Sequence, residues 1–300
     1  MIKNFDELIA KAQNRKEPKR VAVVSAQDGH TLEAVDTAYK GRIVQPVLIG
    51  DAVEITQIIE SLELHHLKDV EIHEVEDDTK AAKKAIAMIR SGAVDFLMKG
   101  KLQTADLLRE VVNKEHGLNK NRVISHFAIL EIPNSHKLLV LTDGGMLPYP
   151  DVEEKSQILL NAVEVLHNLG YETPKVAALA ATEVVNPKVQ ESVDASLLKK
   201  MNEEGKIKGC IVEGPISYDL MISHEAAKIK GYESPVTGDA DILLMPNMTS
   251  GNLLAKALQF AAGAKMAGMI VGAEAPIVLV SRGATAEEKY LSLALSAASS

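Results

Sequence analysis

The stretch Val21-Ala22-Val23-Val24-Ser25-Ala26-Gln27-Asp28-Gly29 runs from four contiguous apolar residues into a small, polar, glycine-ended turn. Leu32, Val35 and Ala38 then follow at helical spacing. A continuous apolar run reads as a strand buried on both faces, and a helix directly after it reads as half of a βαβ unit. The same order recurs outward from this point. Pro46–Gly50 and Val70–His73 read as strands, and Asp78 and Thr79 as caps of a helix with Ile86, Met88 and Ile89 near its buried side. Ala93–Met98 returns as a strand and breaks at Lys99-Gly100-Lys101. Such alternation predicts an α/β protein with mostly parallel sheets.

The middle of the chain differs. Arg122–Ile132 and Lys137–Leu141 are strand-like runs joined only by Pro133-Asn134-Ser135-His136, which predicts an antiparallel hairpin. Further on, Glu153–Leu169 reads as a helix, and Val176–Ala180, Ile207–Val212 and Ile242–Met245 as strands. A long helix is expected from about Leu253, and Ala275–Val280 with the last helix would complete the first sheet. With 300 residues, two domains are expected: 1–121 plus 270–300, and 122–269, with a ligand cleft between them.

Composition narrows the function. Thirty-three basic residues against 41 acidic ones give −8, so nucleic acid and anionic membrane are not bulk partners. Any anionic ligand must be held by a few local positive groups. Trp is absent and there are only six Tyr and four Phe, which leaves Ala, Val, Ile, Leu and Met to build the core. The single cysteine, Cys210, excludes an internal disulfide and a multi-cysteine zinc site. It lies in an apolar run with no histidine near in sequence, the setting of a core thiol. His65-His66 are adjacent, so they do not share a helix face as metal ligands would, and read as a surface turn. No apolar stretch reaches the ~18 residues of a membrane span and no apolar signal region opens the chain, which reads as cytoplasmic.

Three strand-to-helix turns are candidates for holding an anion. In Lys99-Gly100-Lys101-Leu102-Gln103-Thr104, glycine permits the turn, Thr104 caps a helix from about Ala105, and free N–H groups and lysines attract negative charge. A plain connection with solvated lysines fits the same spacing. Ser281-Arg282-Gly283-Ala284-Thr285-Ala286-Glu287-Glu288 adds an arginine fork suited to phosphate. There, Thr285-x-x-Glu288 also fits a capping box, so Glu288 is read either as a cap or as a proton acceptor. Pro246–Asn252 is donor-rich, and also fits an ordinary capped loop. No P-loop, dinucleotide-binding turn or nucleophile elbow is present. Asp239-Ala240-Asp241 offers two carboxylates to a divalent metal or, equally, a capped turn.

Seven stretches in order resemble the phosphate acetyl/butyryltransferase family over essentially the whole chain. They are Leu97–Arg109, Ile124-Ser125-His126, Leu139–Asp143, Glu183-Val184-Val185-Asn186-Pro187, Glu213-Gly214-Pro215, Pro246-Asn247 with Gly251-Asn252, and Ile277–Gly283. Within the family, the Lys99-Gly100 turn, the Glu183–Pro187 run and Ala286–Tyr290 lean toward the phosphate butyryltransferases. The resemblance implies an isocitrate/isopropylmalate dehydrogenase-like two-domain fold with the site in the interdomain cleft. It implies reversible acyl transfer between coenzyme A and phosphate, with no metal, no tightly bound cofactor and coenzyme A as substrate, in a homo-oligomer that is at least a dimer. It carries catalytic roles onto Ser281, Arg282 and Glu288, and phosphate or substrate binding onto Lys99, Gly100, Thr104, Arg109, Ser125, Asp143 and Gly283. Coenzyme A binding falls to Asn247, Gly251 and Asn252. Glu288 stands where the acetyl-specific branch has an aspartate, and Ser135 roughly where that branch has a cysteine, so a thiol is not essential. For Arg109 a helix-surface salt bridge is the competing reading. Alternatives are acetyl transfer, a metal- or NAD-dependent dehydrogenase of the same fold, and a non-catalytic ligand-binding protein.

Overall fold

The computed structural model describes residues 2–281 and 283–300, which separate into two compact units. The first comprises Asn4–Arg122 and Met266–Ser300. It begins with α1 (Phe5–Gln13), β1 (Lys19–Val24), α2 (Gly29–Lys40), β2 (Val44–Gly50) and α3 (Ala52–Ser61). There follow β3 (Glu71–Glu74), α4 (Asp78–Arg90), β4 (Phe96–Lys99) and α5 (Thr104–Val111). The second unit, Val123–Lys265 with Ile2 and Lys3, holds β5 (Ser125–Glu131), β6 (Leu139–Thr142), α6 (Val152–Asn168), β7 (Lys175–Leu179) and α7 (Gln190–Glu203). It continues with β8 (Ile211–Ile216), α8 (Tyr218–Ile222), α9 (His224–Lys230), β9 (Ile242–Leu244) and α10 (Met248–Ala261). The chain then returns to the first unit through β10 (Lys265–Val271), β11 (Ile277–Val278) and α11 (Ala286–Ser299).

In the first unit the strand order is β3-β2-β1-β4-β11-β10. All neighbours pair in parallel except β10, which runs antiparallel to β11. Val21–Val24 and Phe96–Met98 have no exposed surface, as their uninterrupted apolar runs require. α11 is buried from Leu291 to Ser299, and its Ala and Ser residues keep the helix thin enough to be enclosed. In the second unit the order is β5-β6-β9-β7-β8. β5 and β6 form the antiparallel hairpin expected from the short Pro133–His136 connection, and the remaining pairs are parallel. The Tyr171 hydroxyl donates to the Ile2 carbonyl at 2.9 Å and ties the N-terminus to this unit.

Helix starts follow side-chain acceptors. Asn4, Asp28, Asp51, Asp151, Ser223, Asn247 and Thr285 each accept from a first-turn N–H. Four expectations are corrected here. Asp77, not Asp78 or Thr79, caps α4, accepting from the Lys80 N–H at 2.7 Å. Asp78 is already helical, and its carboxylate accepts from the Ser25 hydroxyl at 2.6 Å. Thr104 does not cap α5: Gln103 holds the extended cap geometry, which makes Thr104 the first helical residue. α10 begins at Met248 rather than near Leu253, because Asn247 caps it and Met248–Gly251 form its first turn. β8 starts at Ile211, after Gly209 turns the chain at a φ of 79°.

The Asp239-Ala240-Asp241 pair is occupied by lysines. Lys137 Nζ lies 2.7 Å from Asp241 and 2.8 Å from Asp239, and Lys175 also pairs with Asp239. Burial alone would raise the Asp239 pKa, but donors from Lys137, Lys175 and His136 outweigh it and hold the carboxyl below its usual range. Among the described residues, no group of three or more His, Cys, Asp or Glu side chains is placed to hold a metal, and no helix is long and apolar enough to cross a membrane.

Candidate active site

In the first unit Lys99 and Gly100 lie at the C-terminal edge of the parallel strands, where open α/β sheets receive ligands. β1 and β4 are neighbours, and their outgoing turns interlock. The Gly100 N–H donates to the Val24 carbonyl at 2.8 Å, and the Lys101 N–H donates to the Ser25 carbonyl at 2.7 Å. A Cβ on Gly100 would lie 2.1 Å from the Ser25 oxygen, so only glycine fits so close an approach. Lys99 folds back onto this turn, its Nζ donating to the carbonyls of Gly100 and Leu102 at 2.8 and 2.9 Å. Lys101 points outward and pairs with Glu54 at 2.8 Å. Arg109 lies further along α5, 68% exposed and paired with Asp106 at 2.9 Å, the geometry of a helix-surface ion pair.

β11 pairs in parallel with β4, Val278 opposite Met98. β11 therefore ends at the same edge of the sheet as β4, three residues before Ser281. Ser281 is exposed, and its hydroxyl accepts from the Gly283 N–H at 3.4 Å. Nothing lies within 4 Å of a Cβ built on Gly283. Arg282 lies outside the described residues. Glu288 is buried in the first turn of α11, and its N–H donates to the Thr285 hydroxyl at 3.2 Å. Beside it Lys289 bonds Asp28 at 2.6 Å and Thr31 at 2.9 Å, so the turn after β1 is fastened to α11.

The remaining candidates lie in the second unit. Asp143 follows β6, and its carboxylate collects backbone donors: Gly145 at 2.7 Å, Met146 at 2.9 Å, Leu147 at 3.0 Å and His126 at 3.3 Å. Gly251 and Asn252 brace the same loop. A Cβ on Gly251 would lie 2.6 Å from the Asp143 carbonyl oxygen, and Asn252 Nδ2 donates to the Gly144 carbonyl at 3.3 Å. Asn247 accepts from the Ser250 N–H at 3.0 Å and sets the start of α10. Asp143, Asn247, Gly251 and Asn252 thus form one braced edge where β6 and β9 end side by side. Ser125 is fully buried, its hydroxyl accepting from Asn161 at 3.0 Å.

Cys210 is buried, and burial pushes its thiol up to about 11, far from nucleophilic range.

A family model described as phosphate acetyl/butaryl transferase matches residues 4–85 and 78–297. The chain belongs to this family. It is 44% identical to a phosphate butyryltransferase of Clostridium acetobutylicum over 99% of this chain and 98% of that protein. It is 43% identical to a phosphate acetyltransferase of Thermotoga maritima over 94% and 96%. Among solved structures it is similar to a branched-chain phosphotransacylase from Enterococcus faecalis V583, with a TM-score of 0.82 and 32% identity, covering 94% of this chain and 98% of that one. A 4-hydroxythreonine-4-phosphate dehydrogenase from Klebsiella pneumoniae, 14% identical with a TM-score of 0.56 over 93% and 99%, shares the fold alone. The protein is accordingly a phosphate acyltransferase with an isocitrate-dehydrogenase-like α/β fold, its sheets mostly parallel, with antiparallel pairing between β5 and β6 and between β10 and β11.

Two residues to which no role was assigned stand out in the structure of this phosphate acyltransferase. His126, within one of the matching stretches, has a buried Nδ1 with no hydrogen-bond partner. Burial lowers its pKa, against the opposing pull of the Asp143 charge. Tyr149, in the loop that Asp143 organises, is 82% exposed. The available signals were the His126–Asp143 pairing across the hairpin and the Pro-Tyr-Pro sequence around Tyr149.

Proposed function

We propose that the enzyme interconverts butyryl-CoA, or a related short or branched acyl-CoA, and phosphate with the acyl phosphate and free coenzyme A. The parallel pairing of β4 with β11, which ends both strands on one side of the sheet just before the Lys99-Gly100 turn and just before Ser281, supports this reading, with Glu288 in the first turn of the helix that follows. The butyryl and branched-chain names among the relatives favour the acyl class. The acetyltransferase of similar identity keeps acetyl transfer as the second reading.

Chemically, a thiol with a pKa near ~8.5 supplies little thiolate at neutral pH. Glu288 takes the thiol proton as sulfur attacks the acyl carbon of butyryl phosphate, so that the C–S bond forms. Ser281 and backbone N–H groups face the oxyanion of the tetrahedral species. Its collapse breaks the bond between the acyl carbon and the oxygen that bridges it to phosphorus, and the phosphate leaves with that oxygen, its charge neutralised by Arg282. The Lys99-Gly100 turn and Thr104 seat the phosphate, and Asn247, Gly251 and Asn252 shape the edge for coenzyme A. The protonated, buried Cys210 supports direct transfer, since it offers no activated nucleophile.

Thiol release from butyryl-CoA tests the reading. It should require phosphate, fall by at least about a hundredfold in Arg282→Ala with the fold intact, and show no acyl-enzyme burst on rapid mixing. Near-normal turnover of that variant, or a stoichiometric burst, would contradict the scheme.

A further inference from the structure

We propose that the Tyr149 ring is the platform on which the adenine of coenzyme A stacks. The inference rests on the acyl-CoA reading above and assigns the nucleotide end of that substrate to a residue. All ten aromatic side chains lie among the described residues, and only two, Tyr149 and Phe260, are largely exposed, at 82% and 80%. Phe260 already has a neighbour, the Lys256 ammonium 6.0 Å from its ring centroid.

The backbone that presents Tyr149 is unusually constrained. Upstream, the Asp143 carboxylate accepts from Gly145, Met146 and Leu147, and Asn252 holds the Gly144 carbonyl. The Pro148 carbonyl accepts from the Met248 N–H at 3.2 Å. Downstream, Pro150 is buried and Asp151 makes a reciprocal capping box with Glu154. Pro148 and Pro150 also narrow the conformations of the residue between them. A ring exposed on a fixed backbone loses little freedom when a flat ligand covers it, which is what a stacking platform requires.

Position agrees with this. The loop leaves the C-terminal end of β6, next to the end of its parallel neighbour β9, the edge at which open α/β sheets bind nucleotides. The chain has no broad basic field, so the nucleotide cannot be held by bulk charge. Stacking of a base on an aromatic ring contributes about 1–3 kcal/mol by alanine substitution, and it needs no such field.

The chain contains no Trp, so Tyr149→Trp places a single indole at the site. Its emission should be quenched saturably by coenzyme A and by adenosine 3′,5′-bisphosphate, and not by pantetheine; Phe260→Trp should respond to none of the three. In steady state, Tyr149→Ala should raise KM for butyryl-CoA about tenfold with kcat unchanged, leave KM for S-butyryl-pantetheine as in the parent, and be rescued by Tyr149→Phe. An indole indifferent to coenzyme A, or one answering only to protein concentration, would overturn the proposal. So would equal KM changes for the two thioesters. Failure of the acyltransfer reading shows separately, as absent phosphate-dependent thiol release in the parent protein.

Discussion

Gly100 lies against the Ser25 carbonyl so closely that a Cβ at Gly100 would sit 2.1 Å from its oxygen. The contact locks the turns after β1 and β4 together at the edge where β11 also ends. Gly100→Ala must push backbone against backbone, at a cost of about 1–3 kcal/mol and with displacement of the Lys99 turn. Gly283→Ala, with nothing within 4 Å of the added carbon, should change stability by less than about 0.5 kcal/mol. Urea midpoints of the two variants check the contrast, and equal midpoints would show that the interlock does not matter.

Asp143 satisfies three consecutive N–H groups of its own loop and one from β5. Hydrogen bonds to a charged acceptor are worth more than neutral ones, and their donors are left without a partner when the acceptor goes. Asp143→Ala should therefore lose about 3–5 kcal/mol, and Asp143→Asn less, because one carbonyl oxygen survives. Hydrogen exchange at Gly145–Leu147 should rise in both variants. Unchanged protection there would mean that the loop is held by other contacts.

His126 gives a pH dependence of defined sign. Burial lowers its native pKa below the ~6.5 of an unfolded histidine, so on acidification the unfolded chain takes up a proton before the native protein does. Its contribution lowers stability as pH falls below about 6.5, and the loss grows until the depressed native value is reached. The stability difference between the parent and His126→Phe should therefore shift toward the variant between about pH 7 and pH 5. A difference independent of pH across that window would place the histidine in water.

Glu288 separates two roles by kinetics. The Thr285 hydroxyl caps the Glu288 N–H whatever the side chain does, so Glu288→Gln should leave α11 folded. If the carboxylate takes the thiol proton, kcat should drop by about 10²–10⁴ and the acidic limb of the pH–rate profile should disappear. A profile of unchanged shape and height would reduce Glu288 to a helix cap.

Much of the fold was legible because its signals are local. The runs Val21–Val24 and Phe96–Met98 are apolar throughout, as strands buried on both faces must be, and the four-residue Pro133–His136 connection leaves the β5–β6 pair no other geometry than a hairpin. Boundaries failed where neighbouring residues compete for one role. Asp77 outbids Asp78 for the α4 cap, and Gln103, with no capping side chain, precedes Thr104 because the turn is set by Gly100 against Ser25. The site was legible as turns rather than as contacts. No spacing rule reveals that Lys99 curls onto the Gly100 and Leu102 carbonyls, that Ser125 faces Asn161 in the interior, or that Asp143 is spent on its own loop. Those partners are distant in sequence or are backbone groups, and only the folded chain brings them together.

The proposed reaction is acyl transfer between coenzyme A and phosphate with butyryl-CoA, or a related short or branched acyl-CoA, as the substrate. The most direct test compares kcat/KM for butyryl-, isobutyryl- and acetyl-CoA in phosphate-dependent thiol release. Each methylene in an apolar pocket is worth about 1–3 kcal/mol, so butyryl- or isobutyryl-CoA should exceed acetyl-CoA by at least about tenfold. An acetyl-CoA value equal to or above the other two would contradict the assignment and make the enzyme an acetyl transferase.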